Sequence, residues 1–209
     1  MTLATPLAKQ PQKCANERAS GYLLKRPLDF ALALLLLPVA VPLVLVLGLM
    51  VRLTSPGPAL FRQVRVGRGG RPFACLKLRT MYQGTANLPS HAVGNSAVTR
   101  VGRVLRASKL DEVPQLWNIL KGEMSFVGPR PCLPTQTALI EARRQLGLAD
   151  LRPGMTGIAQ IRGVDMRDPA RLAALDANYV SEMSLWRDLV ILLQTVCGGG
   201  RGDRTDAAK

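Results

Sequence analysis

The stretch FALALLLLPVAVPLVLVLGLMV, Phe30 to Val51, runs for twenty-two residues without a charge or a hydroxyl. As a straight helix rising ~1.5 Å per residue it reaches roughly 33 Å, enough to cross a hydrocarbon core of ~30 Å. Two features favour another reading. Pro38 and Pro42 lie near its middle, and each removes a backbone donor, stranding the carbonyls of Leu34 and Pro38. A break at Pro42 leaves arms of roughly 18 and 15 Å, each reaching about half-way through a bilayer. The flanking charge is also balanced. Lys9, Lys13, Arg18, Lys25 and Arg26 precede the run, and Arg52, Arg62, Arg65, Arg68 and Arg71 follow it. Cationic flanks stay in the cytoplasm, so both ends are placed on that side. A re-entrant helix-break-helix satisfies both features, with a proline-kinked span as an equal alternative on these residues alone.

Working outward, residues 1–24 are polar and unpatterned and read as a flexible tail. The apolar run begins too late, and lacks the small-residue cleavage site, for a secretory leader. Pro27 and Asp29 suit a first helical turn opening the membrane segment, 25–53. TSPGP, Thr54 to Pro58, marks its exit. Residues 54–196 read as one folded part beyond the membrane segment, and the Gly-rich, charged residues 197–209 as a disordered tail.

A formal net charge of +14 asks for an anionic partner: nucleic acid, anionic membrane lipid or a phosphorylated small molecule. With aromatics at 4% there is no array on which bases could stack, and no nucleic-acid motif is present, so no nucleic acid is expected. Cys14, Cys75, Cys132 and Cys197 lie far apart and only His91 accompanies them, which disfavours a metal cage or a disulfide scaffold.

Within this folded part, LFRQVRVGRGGRPFACLKLRTM alternates around a glycine turn and reads as a β-hairpin, with a polar loop over 82–98 that contains His91. TRVGRVLRASKL, Thr99 to Leu110, spaces Arg100, Arg103, Arg106 and Lys109 three apart, a basic ridge along one helix face. SKLDEVPQLWNILKGEMSFVGPRP, Ser108 to Pro131, follows. It holds the adjacent carboxylates Asp111 and Glu112, a helical apolar repeat, a Lys-Gly stop and a stiff Gly-Pro-Arg-Pro turn. Ser108-x-x-Asp111 resembles a capping box, placing both acids near a helix start. Residues 135–148 read as a surface helix. LRPGMTGIAQIRG, Leu151 to Gly163, reads as a turn followed by a short apolar alternation, and 168–196 as helix ending in the interfacial or packed run LWRDLVILLQTV. The fold class is mostly helical α/β with a small β-hairpin or sheet.

Two adjacent carboxylates can divide labour, one as nucleophile and one moving protons. Asp111 is a weak nucleophile whose target must be a phosphoryl group neutralised by cations and a divalent metal. Arg103, Arg106 and Arg130 supply guanidinium groups that match phosphate oxygens. An isolated S-x-x-D-E is more often a helix cap beside an exposed acid than an active site.

KRPLDF before the apolar run, F-x-x-x-K-L-R-T-M at Phe73 to Met81, the central stretch and RPGMTGIAQ together resemble the bacterial sugar transferase family, small monotopic phosphoglycosyl transferases. The resemblance covers about residues 22–196 and implies that 54–196 is a catalytic domain at the cytoplasmic face. It implies transfer of a sugar-1-phosphate from a UDP-sugar to polyprenol phosphate with Mg²⁺, at the cytoplasmic face of the bacterial inner membrane. By it, Asp111 is the nucleophile and a metal ligand, Glu112 assists attack by the lipid phosphate, and Arg106 and Arg130 hold phosphate. Lys77, Arg103, Gln160 and Arg162 are further binding candidates, and a homodimer is compatible. Two departures stand out. Val41-Pro42 replaces the Ser-Pro common at the membrane break, and Arg162-Gly163-Val164-Asp165 lacks the arginine of the usual Asn-Gly-Arg-Asn run. The competing readings are a membrane-tethered basic nucleic-acid binder, a non-catalytic scaffold, and direct displacement in a ternary complex with Glu112 activating the acceptor.

Overall fold

A 30-residue helix, α1 (Lys25–Thr54), is the first element among the described residues. The computed structural model describes residues 22–85, 95–164 and 166–198. His91, Cys14, Asp165 and the tails before 22 and after 198 lie outside them. α1 is long and apolar enough to cross a membrane by length and composition. It is helical through Pro38 and Pro42. No non-helical residue interrupts it where a break was expected: proline's fixed φ is itself helical, and the lost bond and the clash of its ring with the carbonyl four residues back bend a helix without having to end it.

The buried positions of α1 are Asp29, Ala33, Ala40, Gly48 and Val51, spaced so that they fall on one stripe. Val44 and Leu47 continue it, packing on a cluster of Val51, Leu78 and Leu105. Pro38 and Pro42 each stand two residues, or about 200°, from Ala40 and are exposed. The prolines thus lie opposite the packed stripe. Twelve large apolar side chains of α1 are exposed, from Leu28 to Leu53. At about 1.5–3 kcal/mol each, leaving them in water forgoes on the order of 20 kcal/mol, more than a typical domain's whole stability. That face calls for an apolar surrounding.

Both ends of α1 are tied to the rest of the chain by polar groups. Arg26 donates to the carbonyls of Ile119 and Leu120 at 2.6 and 2.9 Å. The Asp29 carboxylate accepts from the Phe126 N–H at 3.2 Å. Lys25 and Tyr22 both donate to Asp188, so Tyr22, assigned from sequence to the tail, is fixed. At the other end Arg79 donates to the carbonyls of Val51, Ser55 and Pro56.

β1 (Leu60–Val66) and β2 (Pro72–Leu78) form the expected antiparallel hairpin, turning through 68–70. After it come α2 (Arg100–Ser108), α3 (Gln115–Lys121) and β3 (Ser125–Val127). The remainder is α4 (Thr137–Gln145), β4 (Gly154–Thr156), the short α5 (Ile158–Ile161), α6 (Pro169–Ser181) and α7 (Leu185–Val196). β4 pairs parallel with β3. Asn118 of α3, fully buried, accepts from Leu76 N–H and donates to Ala74 carbonyl, fastening α3 to β2. The helix expected over 135–148 is present, but its Arg143 is buried rather than on the surface. The helical pattern of 168–196 divides at Glu182–Ser184, where Ser184 caps α7. α7 buries Asp188 and Ile191 and exposes Leu185, Trp186, Leu189, Leu193 and Val196.

α2 meets the end of the hairpin through Gly102, where any Cβ would run into the Thr80 carbonyl. Overpacking of this kind costs about 1–3 kcal/mol. Gly102→Ala is therefore expected to lower stability by about that amount in thermal unfolding of detergent-solubilised protein, whereas Ala107→Ser on the exposed side leaves it unchanged.

Candidate active site

Asp111 and Glu112 sit in a single 3-10 turn, Leu110–Glu112, between α2 and α3. α2 starts with Thr99 as its cap, the hydroxyl accepting from Gly102 N–H, and stops at Lys109, whose φ of 60° is left-handed. The capping box expected at Ser108 is not formed. Ser108 lies in the last turn of α2, its hydroxyl spent on the carbonyls of Val104 and Leu105. The reversal at Lys109 also takes that lysine out of the ridge, which ends at Arg106. Pro114 caps α3 instead of interrupting it, so its missing donor falls where a helix has none to satisfy.

The two acids are treated differently. Glu112 accepts from Lys77 Nζ of β2 at 2.6 Å and from Arg130 Nη2 at 3.4 Å. Asp111 is 7% exposed, and among the described residues no hydrogen bond reaches its carboxylate. Burial pushes Asp111 up to about 6, with Lys77 pulling it down, Glu112 pushing it further up, and Arg106 and Arg130 opposing. Burial also raises Glu112, but Lys77 and Arg130 outweigh it and hold that carboxyl well below the usual range. Arg106, the last basic residue of α2, donates through Nε to the Thr80 hydroxyl at 2.9 Å.

Four of the proposed residues thus meet: Lys77, Asp111, Glu112 and Arg130, with Arg106 near enough to act on Asp111. Comparison with known proteins identifies the family of the chain. Residues 20–199 match the family described as bacterial sugar transferase. The chain belongs to the bacterial sugar transferase family. It is 47% identical over 191 residues to a UDP-glucose:undecaprenyl-phosphate glucose-1-phosphate transferase of Caulobacter vibrioides, covering 86% of this chain and 70% of that one. It is 37% identical over 203 residues to the exopolysaccharide production protein ExoY of Sinorhizobium fredii, covering 89% of each. A UDP-N-acetylgalactosamine-undecaprenyl-phosphate N-acetylgalactosaminephosphotransferase of Aeromonas hydrophila is 36% identical, and this chain spans 43% of its length.

Not every candidate in this sugar transferase gathers at the dyad. Arg103 is exposed one turn before Arg106. Arg162 is exposed just after α5. Gln160 donates to the Met155 carbonyl while its side-chain oxygen is buried without a partner. None of the three is bonded to Asp111 or Glu112. For a divalent cation, no cluster of three or more His, Cys, Asp or Glu occurs among the described residues. Mg²⁺ usually takes one or two carboxylates and fills its shell with water and substrate phosphate. The unbonded Asp111 carboxylate fits that pattern, whereas Glu112 Oε1 is already shared by Lys77 and Arg130.

Several contributors were not singled out from the sequence: Thr80, which holds Arg106; Asn118; and Arg65, buried in β1 and donating to the Pro131 carbonyl. Arg65 had a signal. It shares the inward face of the strand with Gln63, two residues away, both opposite apolar partners of β2.

An Asp111 carboxyl titrating near 6 is expected in ¹³C NMR of Asp-labelled protein, against an ordinary value of ~3.9. Glu112→Gln removes a neighbouring negative charge and frees Lys77, so the Asp111 midpoint is expected to move to lower pH. A midpoint that stays or rises would contradict the arrangement.

Proposed function

We propose that this protein transfers a sugar-1-phosphate from a UDP-sugar to polyprenol phosphate, releasing UMP and starting exopolysaccharide or a related glycoconjugate. The observation that carries this reading is the buried, unbonded carboxylate of Asp111 beside an acid that gathers Lys77 and Arg130. A carboxylate facing such cations is arranged to attack an anionic electrophile, which a phosphoryl group is.

In the first step an Asp111 oxygen forms a bond to the β-phosphorus of the donor. The bond from that phosphorus to the bridging oxygen breaks, and UMP leaves with the electron pair. In the second step a polyprenol-phosphate oxygen attacks the same phosphorus, and the bond to Asp111 breaks. The product is a polyprenyl diphosphosugar and the carboxylate is restored. Arg106, Arg130 and Lys77 neutralise the non-bridging oxygens in both steps. Asp111 would hold a Mg²⁺ ion, which would supply further charge neutralisation. Glu112, held ionised by its cations, orients Lys77 and Arg130; no proton has to be carried, because the acceptor phosphate is already an oxyanion.

The same reading places α1 as a re-entrant element of the inner membrane with both ends on the cytoplasmic face. A helix that loses bonds at Pro38 and Pro42 opens on the proline side. The packed stripe then lies on the concave side, facing the body to which both helix ends are tied. α7 lies at the interface with its apolar side toward lipid. The acceptor phosphate sits at that surface, and the nucleophile is held at matching depth.

The relatives carry the names of glucose, N-acetylgalactosamine and galactose transferases, so the donor is found by screening. With undecaprenyl phosphate and Mg²⁺ present, UMP release is expected from UDP-glucose or another UDP-hexose, and Asp111→Asn is expected to reduce it at least about a thousandfold. Release that is unchanged in Asp111→Asn would overturn the assignment. For topology, single cysteines at Arg18 and Leu60 in a cysteine-free background are expected to react from the cytoplasmic side alone. Labelling of position 18 from the outside would establish a span.

A further inference from the structure

The segment that carries Arg130 has no regular structure, yet it is pinned on every side. Gly128 N–H donates to the Thr156 carbonyl and Gly154 N–H to the Pro129 carbonyl, at 2.9 and 2.8 Å. The Pro131 carbonyl accepts from Arg65 Nη1 at 2.8 Å, and the Arg130 carbonyl accepts from Arg143 Nη1 at 2.9 Å. Pro129 and Pro131 have no donor of their own. The orientation of this loop therefore depends on groups that come to its carbonyls from outside.

Arg143 is the most specific of these. Its Nε and Nη2 both donate to Asp176 Oδ2, at 3.0 and 2.8 Å, and only Nη1 turns to the Arg130 carbonyl. Asp176 is 2% exposed and belongs to α6, while Arg143 belongs to α4. A guanidinium is a rigid, planar fork, so two prongs fixed on a carboxylate fix the direction of the third. A buried ion pair is a poor way to gain stability over an apolar pair of the same size. This one has a geometric consequence at the active site.

We infer that Arg143, locked by Asp176, is a positioning residue for Arg130: it sets where the Arg130 guanidinium stands over Glu112 and the phosphates. It touches neither substrate nor Asp111. The role rests on the phosphoryl-transfer reading above, because Arg130 matters to turnover only if charge develops there.

The test compares Arg143→Lys with the parent in UMP release. Lysine keeps a charge opposite Asp176 and keeps the protein folded, but one ammonium cannot span both the carboxylate and the Arg130 carbonyl in the arginine geometry. The expected result is a kcat lower by roughly ten- to a hundredfold, as for misplacement of a group by ~1 Å, with donor KM and thermal midpoint near the parent's. The same substitution in an Arg130→Lys background is expected to cause less than about a threefold further loss, since residues acting as a unit are not additive. Arg143→Met with Asp176→Leu removes the whole pair without stranding a charge. It is expected to fold and to show the same loss of kcat. Unchanged kcat in Arg143→Lys, or full additivity with Arg130→Lys, would overturn the positioning role. Absence of UMP release from the parent with every donor would overturn the transferase reading and the role with it.

Discussion

Glu112 with its two cations is the interaction on which the site depends. Lys77 comes from the hairpin, Arg130 from the loop after β3, and Glu112 from the turn between α2 and α3. These elements are far apart in sequence and share little backbone pairing. An acid between two cations in a largely dry setting fixes their positions, because electrostatic interactions strengthen as water is excluded. With Glu112 bonded to both, the adjacent Asp111 carboxylate is left without a hydrogen bond among the described residues. Burial weakens its hold on charge, and the cations restore part of it. That balance suits the role proposed for Asp111, a carboxylate that would ionise, attack and later leave.

The second constraint is depth. α1 is fastened at its start to the end of α3 and to β3, the elements just after the dyad and just before Arg130. At its end it is fastened to Arg79, two residues beyond Lys77. The anchor is thus tied to the chain on both sides of the site. These polar bonds join α1 directly to the segments beside Lys77, Glu112 and Arg130. The proline-opposed packing stripe shows why so apolar a helix is kept close to the body along its length while most of its surface faces outward.

Much of this was legible in the residues. Alternation around Gly67–Gly70 gave the hairpin, the Lys121-Gly122 stop ended α3, and the Pro-rich apolar run announced the anchor. Asp111 and Glu112 are proposed as a catalytic pair only because the long central motif resembles a family; from S-x-x-D-E alone, a helix cap was the better reading, and that cap is not formed. What escaped was set by tertiary contacts. The left-handed turn at Lys109 breaks an otherwise helical basic ridge, and Pro114 falls at a helix start because of it. Arg143 looked like a surface residue in a polar helix, since nothing local reveals that Asp176, 33 residues on, lies opposite it. Arg79 and Thr80 sit inside a recognisable motif, yet only the fold shows that one holds the end of α1 and the other Arg106.

The central claim is that Asp111 becomes covalently bonded to phosphorus during turnover. Incubating purified protein with Mg²⁺ and its UDP-sugar while withholding polyprenol phosphate, then quenching and digesting, tests it directly by mass spectrometry. The expected result is a mass increase of one hexose phosphate on the peptide containing Asp111, which disappears on adding acceptor and never forms in Asp111→Asn. An unmodified peptide under conditions where the full mixture turns over, together with kinetics requiring both substrates bound at once, would contradict the account.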